Sequence, residues 1–164
     1  VSPLRLLNLA IIPALAELST CGIPDSPDAR RFLLAIALQE SGLAHRRQMS
    51  GGTESGPAAS FWQFEAGGGC KGVLTHPAAA TKMRAFCDVF NVDQTPAGLW
   101  EAMRYHDIIA AIAARLLIYT LPSKLPATAD EGWKQYLSAW RPGRPRPETW
   151  QANWDLASLT VGAK

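Results

Sequence analysis

Asp107-Ile-Ile-Ala-Ala-Ile-Ala-Ala-Arg-Leu-Leu-Ile-Tyr119 is apolar on most sides. A helix without a broad polar face is stable only when other elements cover it, so this segment reads as a central core helix. Strand signals elsewhere are almost absent. The expected fold is therefore mainly α, a helical domain built around one central buried helix, with at most a small, irregular β region.

Working outward, the flanking segments also read as helices. Leu4 to Leu18 has Arg5 near its start and superficially resembles a signal peptide. Pro13 and Glu17 interrupt it, no small-x-small cleavage site follows, and Leu7, Ile11, Leu15 and Leu18 share a helical face. It reads as a first core helix, bent or begun at Pro13, and too short and interrupted to span a membrane. Ser26 caps the next helix, with Pro27 at its first position and Asp28 in its first turn. Phe32, Leu33, Ile36, Ala37 and Glu40 lie on one face of it, and Gly42 stops it. Further helices are expected from Pro77 to about Phe90, over 99–104 after Thr95-Pro96, from Asp130 to Trp140, and around Trp150 and Trp154. Residues 45–60 read as a polar, glycine-rich loop, and Phe61 to Glu65 as a short strand or extended segment. No internal repeat or linker divides the 164 residues, so a single domain over 1–164 is expected.

Composition narrows the partners. Hydrophobic residues make up 48% and charged residues 18%, which favours a packed globule over disorder. Sixteen basic against fourteen acidic residues leave +2, too little to argue for nucleic acid. The three cysteines, Cys21, Cys70 and Cys87, cannot all pair with one another and have no zinc-ligand spacing. Reduced, partly buried thiols are expected, one disulfide being the alternative. No metal and no cofactor are expected.

The chemistry concentrates between Arg30 and Glu65. Glu40 stands on the buried stripe of its helix, at a C-terminus whose dipole disfavours negative charge. Both effects hold a carboxyl in its protonated form, as general acid cleavage of a glycosidic bond requires. A glutamate that merely solvates the helix end is the alternative. Glu65 is the second carboxylate, a candidate base for activating water, and Glu54 in the intervening loop is a third. Gln63 is able to hydrogen-bond sugar hydroxyls. Phe61, Trp62 and Phe64 offer a stacking face or core packing.

These residues carry a resemblance. Glu40-Ser41, a loop, and then Ser60-Phe61-Trp62-Gln63 resembles the Glu-Ser … Gly-Leu-Met-Gln pattern of goose-type lysozymes and the related lytic transglycosylases. Phe61-Trp62-Gln63-Phe64-Glu65 most resembles phage-encoded lysozyme-like proteins. The resemblance implies a lysozyme-like helical fold and cleavage of peptidoglycan glycan strands at the MurNAc–GlcNAc β-1,4 bond. It makes Glu40 the general acid and Gln63 the motif glutamine. It places Glu65 where goose-type enzymes carry an aspartate proposed to position water. Ala139-Trp140-Arg141-Pro142-Gly143 falls where transglycosylases have Ala-Tyr-Asn-Ala-Gly, with Trp140 and Arg141 replacing Tyr and Asn.

The expected site is therefore Glu40 and Glu65 as catalytic residues, with Ser41, Glu54, Trp62, Gln63 and Trp140 binding substrate. The expected function is a muramidase. Alternatives are a lytic transglycosylase giving 1,6-anhydro products, a chitinase-like hydrolase, and an inactive phage structural or wall-binding module. The expected partner is the peptidoglycan glycan strand, with other virion proteins as a further class, no membrane insertion, and a monomeric state. The protein would be made in the host cytoplasm without a convincing signal peptide and act on the cell wall in the periplasm. His76 and His106 read as structural or surface residues, and His45, Arg46 and Arg47 as a solvated loop. The run from Arg141 to Arg146 reads as a solvated proline-rich loop, contact with muramyl carboxylates being its alternative.

Overall fold

A computed structural model describes residues 1–53 and 55–163. It is mainly helical, with one two-stranded sheet. The first helical stretch comprises α1 (Pro3–Leu6), a π-helical turn (Leu7–Ile11) and α2 (Ile12–Ser19). It starts at the cap Ser2 rather than at Pro13. Pro13 has no N–H to donate upstream, and just before it the ladder widens, Ile12 N–H bonding to Leu7 O. The predicted stripe of Leu7, Ile11, Leu15 and Leu18 is buried.

Helix α3 (Pro27–Ser41) keeps its expected signals: Ser26 Oγ accepts from Ala29 N at 3.1 Å, and Gly42 ends the helix in the left-handed region at φ 57°. Its burial is greater than one stripe. Every residue from Phe32 to Gln39 is buried, because α9 (Pro147–Gly162) packs along one side of it and α7 (Asp107–Tyr119) and the first helical stretch approach from others. Two helices, α3 and α7, thus run through the core where the sequence pattern singled out one.

The β region is smaller than the extended segment expected from Phe61 to Glu65. Strand β1 (Ala58–Ala59) pairs antiparallel with β2 (Phe64–Glu65), Ala58 opposite Glu65 and Ala59 opposite Phe64. Residues 60–63 form the turn, with Ser60 and Gln63 at positive φ. A π-helical turn (Ala66–Cys70) takes up the Gly67–Gly69 run and leads into α4 (Lys71–Thr75), an element the sequence did not announce. Helix α5 (Ala80–Val89) starts after Pro77, which lies in the preceding turn. Next come α6 (Pro96–Met103), capped by Thr95, and α8 (Ala129–Trp140), whose Thr128–Glu131 capping box satisfies its first turn.

One apolar cluster extends from Leu6 to Ala157, with an aromatic group at one end of it. There Phe32, Trp133, Tyr136, Trp150 and Trp154 meet at centroid distances of 5.3–6.4 Å. The three cysteines are free, Cys70 and Cys87 buried and Cys21 half-buried. Among the described residues no helix is long and apolar enough to cross a membrane.

Candidate functional site

Glu40 is the penultimate residue of α3 and the first of Phe32–Glu40 to leave full burial. The residue before it fixes its position. The buried Gln39 side chain donates to Arg146 O at 2.9 Å and accepts from Thr149 Oγ1 at 3.0 Å and Asn153 Nδ2 at 2.8 Å. Arg146 in turn donates to Gln39 O. These bonds seal the end of α3 to the start of α9, and every polar atom of the buried amide has a partner.

From α8, Tyr136 Oη donates to Glu40 Oε1 at 2.6 Å. Burial pushes the Glu40 carboxyl above its ordinary range, and the Tyr136 hydroxyl and the Arg146 charge only partly oppose it. Burial, then the neighbouring Glu40 charge, pushes the Tyr136 phenol far up, so it stays a donor. The result is a half-buried carboxyl, held by a hydrogen bond from Tyr136, whose pKa is shifted in the direction a general acid requires.

The carboxyl opens onto a cleft of about 830 Å³. It is lined by Gln63 from the turn, Phe64 and Glu65 from β2, and Gly68, Gly69 and His76 from the chain after it. Ser138, Ala139 and Trp140 from α8 and Arg141 to Arg144 beyond it complete the lining. Leu117 and Thr120 lie at the end of α7. A smaller hollow of about 200 Å³, lined by Ser41, His45, Arg47 and Met49, shares Glu40, Gln48 and Gln63 with the cleft.

Of the residues expected at the site, Glu40, Glu65, Gln63 and Trp140 line this cleft. Glu65 is exposed. Gln63 sits at φ 52° and donates through Nε2 to Ser60 O at 2.8 Å, which leaves its carbonyl oxygen for the cleft. Trp140 is half-buried, donates through Nε1 to Trp62 O at 2.9 Å, and meets Phe64 edge-on at 5.9 Å.

Trp62 is a correction. It is 0% exposed, and its indole N–H donates to Leu33 O at 2.9 Å in α3. It cannot stack on a ligand from there; it fixes the sheet turn to the helix that carries Glu40. Ser41 lines the smaller hollow, but its hydroxyl donates to Ala37 O at 2.9 Å and accepts from Leu43 N, closing its own helix. Glu54 lies outside the described residues. The loop expected to be solvated is pinned instead: Arg46 makes a two-pronged ion pair with Asp107 at 2.9 and 2.7 Å, and Arg47 lies over Trp100.

Sequence reasoning missed Tyr136 and Gln39, and it read Arg146 only as part of a solvated loop, where it in fact donates to Gln39 O. Tyr136 did fall on the same face of its helix as Trp140, and that was the only available signal. Its partner is 96 residues away, and no local pattern joins them. Among the described residues no cluster of three or more His, Cys, Asp or Glu is arranged to hold a metal ion. No protein-family model, curated protein or solved structure matches the chain.

Proposed function

We propose that this protein is a glycan-cleaving enzyme acting on peptidoglycan, with Glu40 as its general acid. One observation carries the reading. Glu40 is a carboxyl raised by burial, held by Tyr136 at 2.6 Å, at the wall of a cleft large enough for several sugar-ring contacts. The Glu-Ser and Gln motifs give the substrate class by their resemblance to goose-type lysozymes and lytic transglycosylases.

In the reaction, Glu40 gives its proton to the departing glycosidic oxygen as the C–O bond breaks, and the anomeric carbon takes on oxocarbenium character. Tyr136 holds the carboxyl in place and, by its hydrogen bond, stabilises the carboxylate left behind. In the muramidase reading Glu65 takes a proton from the water that attacks the anomeric carbon, and the product is a reducing muramyl end. A second reading is favoured by the asymmetry of the two carboxyls, since Glu65 is exposed whereas Glu40 is half-buried and hydrogen-bonded. If Glu40 acts alone, it later accepts the proton of the substrate's own 6-hydroxyl as that oxygen closes on the anomeric carbon, giving a 1,6-anhydro end.

Purified protein on isolated peptidoglycan tests both. Soluble muropeptides are expected, and mass spectrometry separates reducing ends from anhydro ends, which are lighter by one water. Release of no muropeptides, or undiminished release by Glu40→Gln, overturns the assignment.

A further inference from the structure

The stretch after α8 has chemistry that proton delivery by Glu40 does not use. Arg141 and Arg144 both line the cleft, with Pro142 and Gly143 between them. Arg141 ends α8 in the left-handed region, at φ 49° and ψ 51°. Glycine is the usual residue there, because a side chain crowds the backbone in that conformation. An arginine holds this strained position, and it lines the cleft. Pro142, Pro145 and Pro147 limit the loop's freedom, so little ordering remains for a ligand to impose.

The charges of the two residues are uncompensated. Arg30, Arg31, Arg46 and Arg104 each sit in an ion pair. Arg141 and Arg144 have no carboxylate partner among the described residues, and the one side-chain bond either makes is Arg141 Nε to Ser138 O at 3.4 Å. The two carboxyls that line the cleft, Glu40 and Glu65, form no ion pair with either arginine. The α8 end of the cleft is therefore positive, with two planar donors of the geometry that grips carboxylates bidentately.

We propose that Arg141 and Arg144 form a carboxylate-reading edge of the Glu40 cleft, selecting glycans that carry acidic substituents over neutral ones. This rests on the glycan-cleaving reading and narrows its substrate class. A muramyl strand bears lactyl or peptide carboxylates, whereas an N-acetylglucosamine polymer bears none. The edge discriminates by binding, so it acts on KM and leaves the proton transfer itself to Glu40.

The test separates this edge from catalysis by using Glu40→Gln as a binding-only background. Affinity is measured for peptidoglycan strands with free carboxylates, for the same strands after amidation of those carboxylates, and for chitin oligomers. The expected result is a preference of about tenfold per guanidinium for the free-carboxylate strand, falling as salt rises. Adding Arg141→Gln and Arg144→Gln should bring the three affinities together, and Arg→Lys at both positions should restore part of the preference. A thermal midpoint within a degree or two of the parent shows that the variants fold. Equal affinity for free and amidated strands, or a preference that survives both glutamines, overturns the edge whatever the catalytic result. A carboxylate preference in a protein whose unmutated form cuts no strand supports the edge and overturns only the glycan-cleaving reading.

Discussion

At Glu40 two predictions follow from the direction of one pKa. Its carboxyl is raised in the folded chain by burial, so it binds a proton more tightly folded than unfolded. The unfolded chain then holds fewer protons between the two pKa values, and stability falls as pH rises through that window. Below the ordinary carboxylate range both states are protonated and the cost vanishes. Glu40→Gln keeps the shape and can still accept from Tyr136. It should equal the parent in thermal midpoint in acid and exceed it increasingly toward neutral pH, while activity drops by about two to four orders of magnitude. Midpoints measured across pH check the sign. Tyr136→Phe should behave differently: it removes the largest effect holding the Glu40 pKa down. The alkaline limb of kcat should move to higher pH, while kcat itself falls about tenfold or more as the carboxyl loses its fixed rotamer. A lower kcat with an unmoved limb would show Tyr136 to be packing alone. The position of Glu40, at a helix end beside a cleft, was legible because its signals are local, a helix end, an apolar stripe and a following glycine. Tyr136 was not, because the bond that matters joins two helices far apart in sequence.

Between elements, the cleft wall depends on how closely α8 lies on α9. Gly132 is the point of contact: a Cβ there would stand 2.5 Å from Trp154 Cζ3 and 3.1 Å from Trp150 Cζ2. Both indoles are buried, and Trp150 is further tied by its N–H to Ala129 O at 2.7 Å, so neither can swing away freely. Gly132→Ala gains about 1 kcal/mol of helix propensity but overpacks a filled site at a cost of roughly 1–3 kcal/mol. Urea unfolding should show net destabilisation. Because α8 must shift to make room, Tyr136 should lose its register on Glu40 and activity should fall with stability. The α helices themselves were readable, since Ser26, Thr95 and Gly42 are punctuation that acts within one turn. The two π-helical turns and α4 were not. The first lies just before Pro13 and the second lays Gly69 against the Phe64 ring, and neither leaves a periodic pattern. Trp62 was misplaced for a related reason: composition marks an indole as suited to sugar or core, and only the position of α3 decides between them.

For the molecule as a whole, the mainly helical character followed from the near absence of strand patterns, and the burial of α7 from its apolar surface. The exception on α7 is Arg115, which an apolar reading of the segment passes over. It is only 6% exposed, its Nε is buried without a hydrogen-bond partner, and no described carboxylate pairs with it. Burial lowers its pKa, and the only charge effect in its favour comes from Tyr119. A guanidinium nevertheless remains charged in a protein, so folding here strips much of an ion's water and leaves its Nε without a partner. The methylene stem packs as an apolar group, and the penalty belongs to the head. Arg115→Met keeps the stem and discards the charge, so it should stabilise the fold by about 1–3 kcal/mol and raise the thermal midpoint by several degrees. Arg115→Ala should do worse than Met, since it also opens a cavity beside the central helix. Denaturation of the three proteins side by side gives the order. If the methionine variant unfolds at a lower temperature than the parent, the charge is compensated in solution, and the stability of α7 depends on an anion rather than on apolar packing alone.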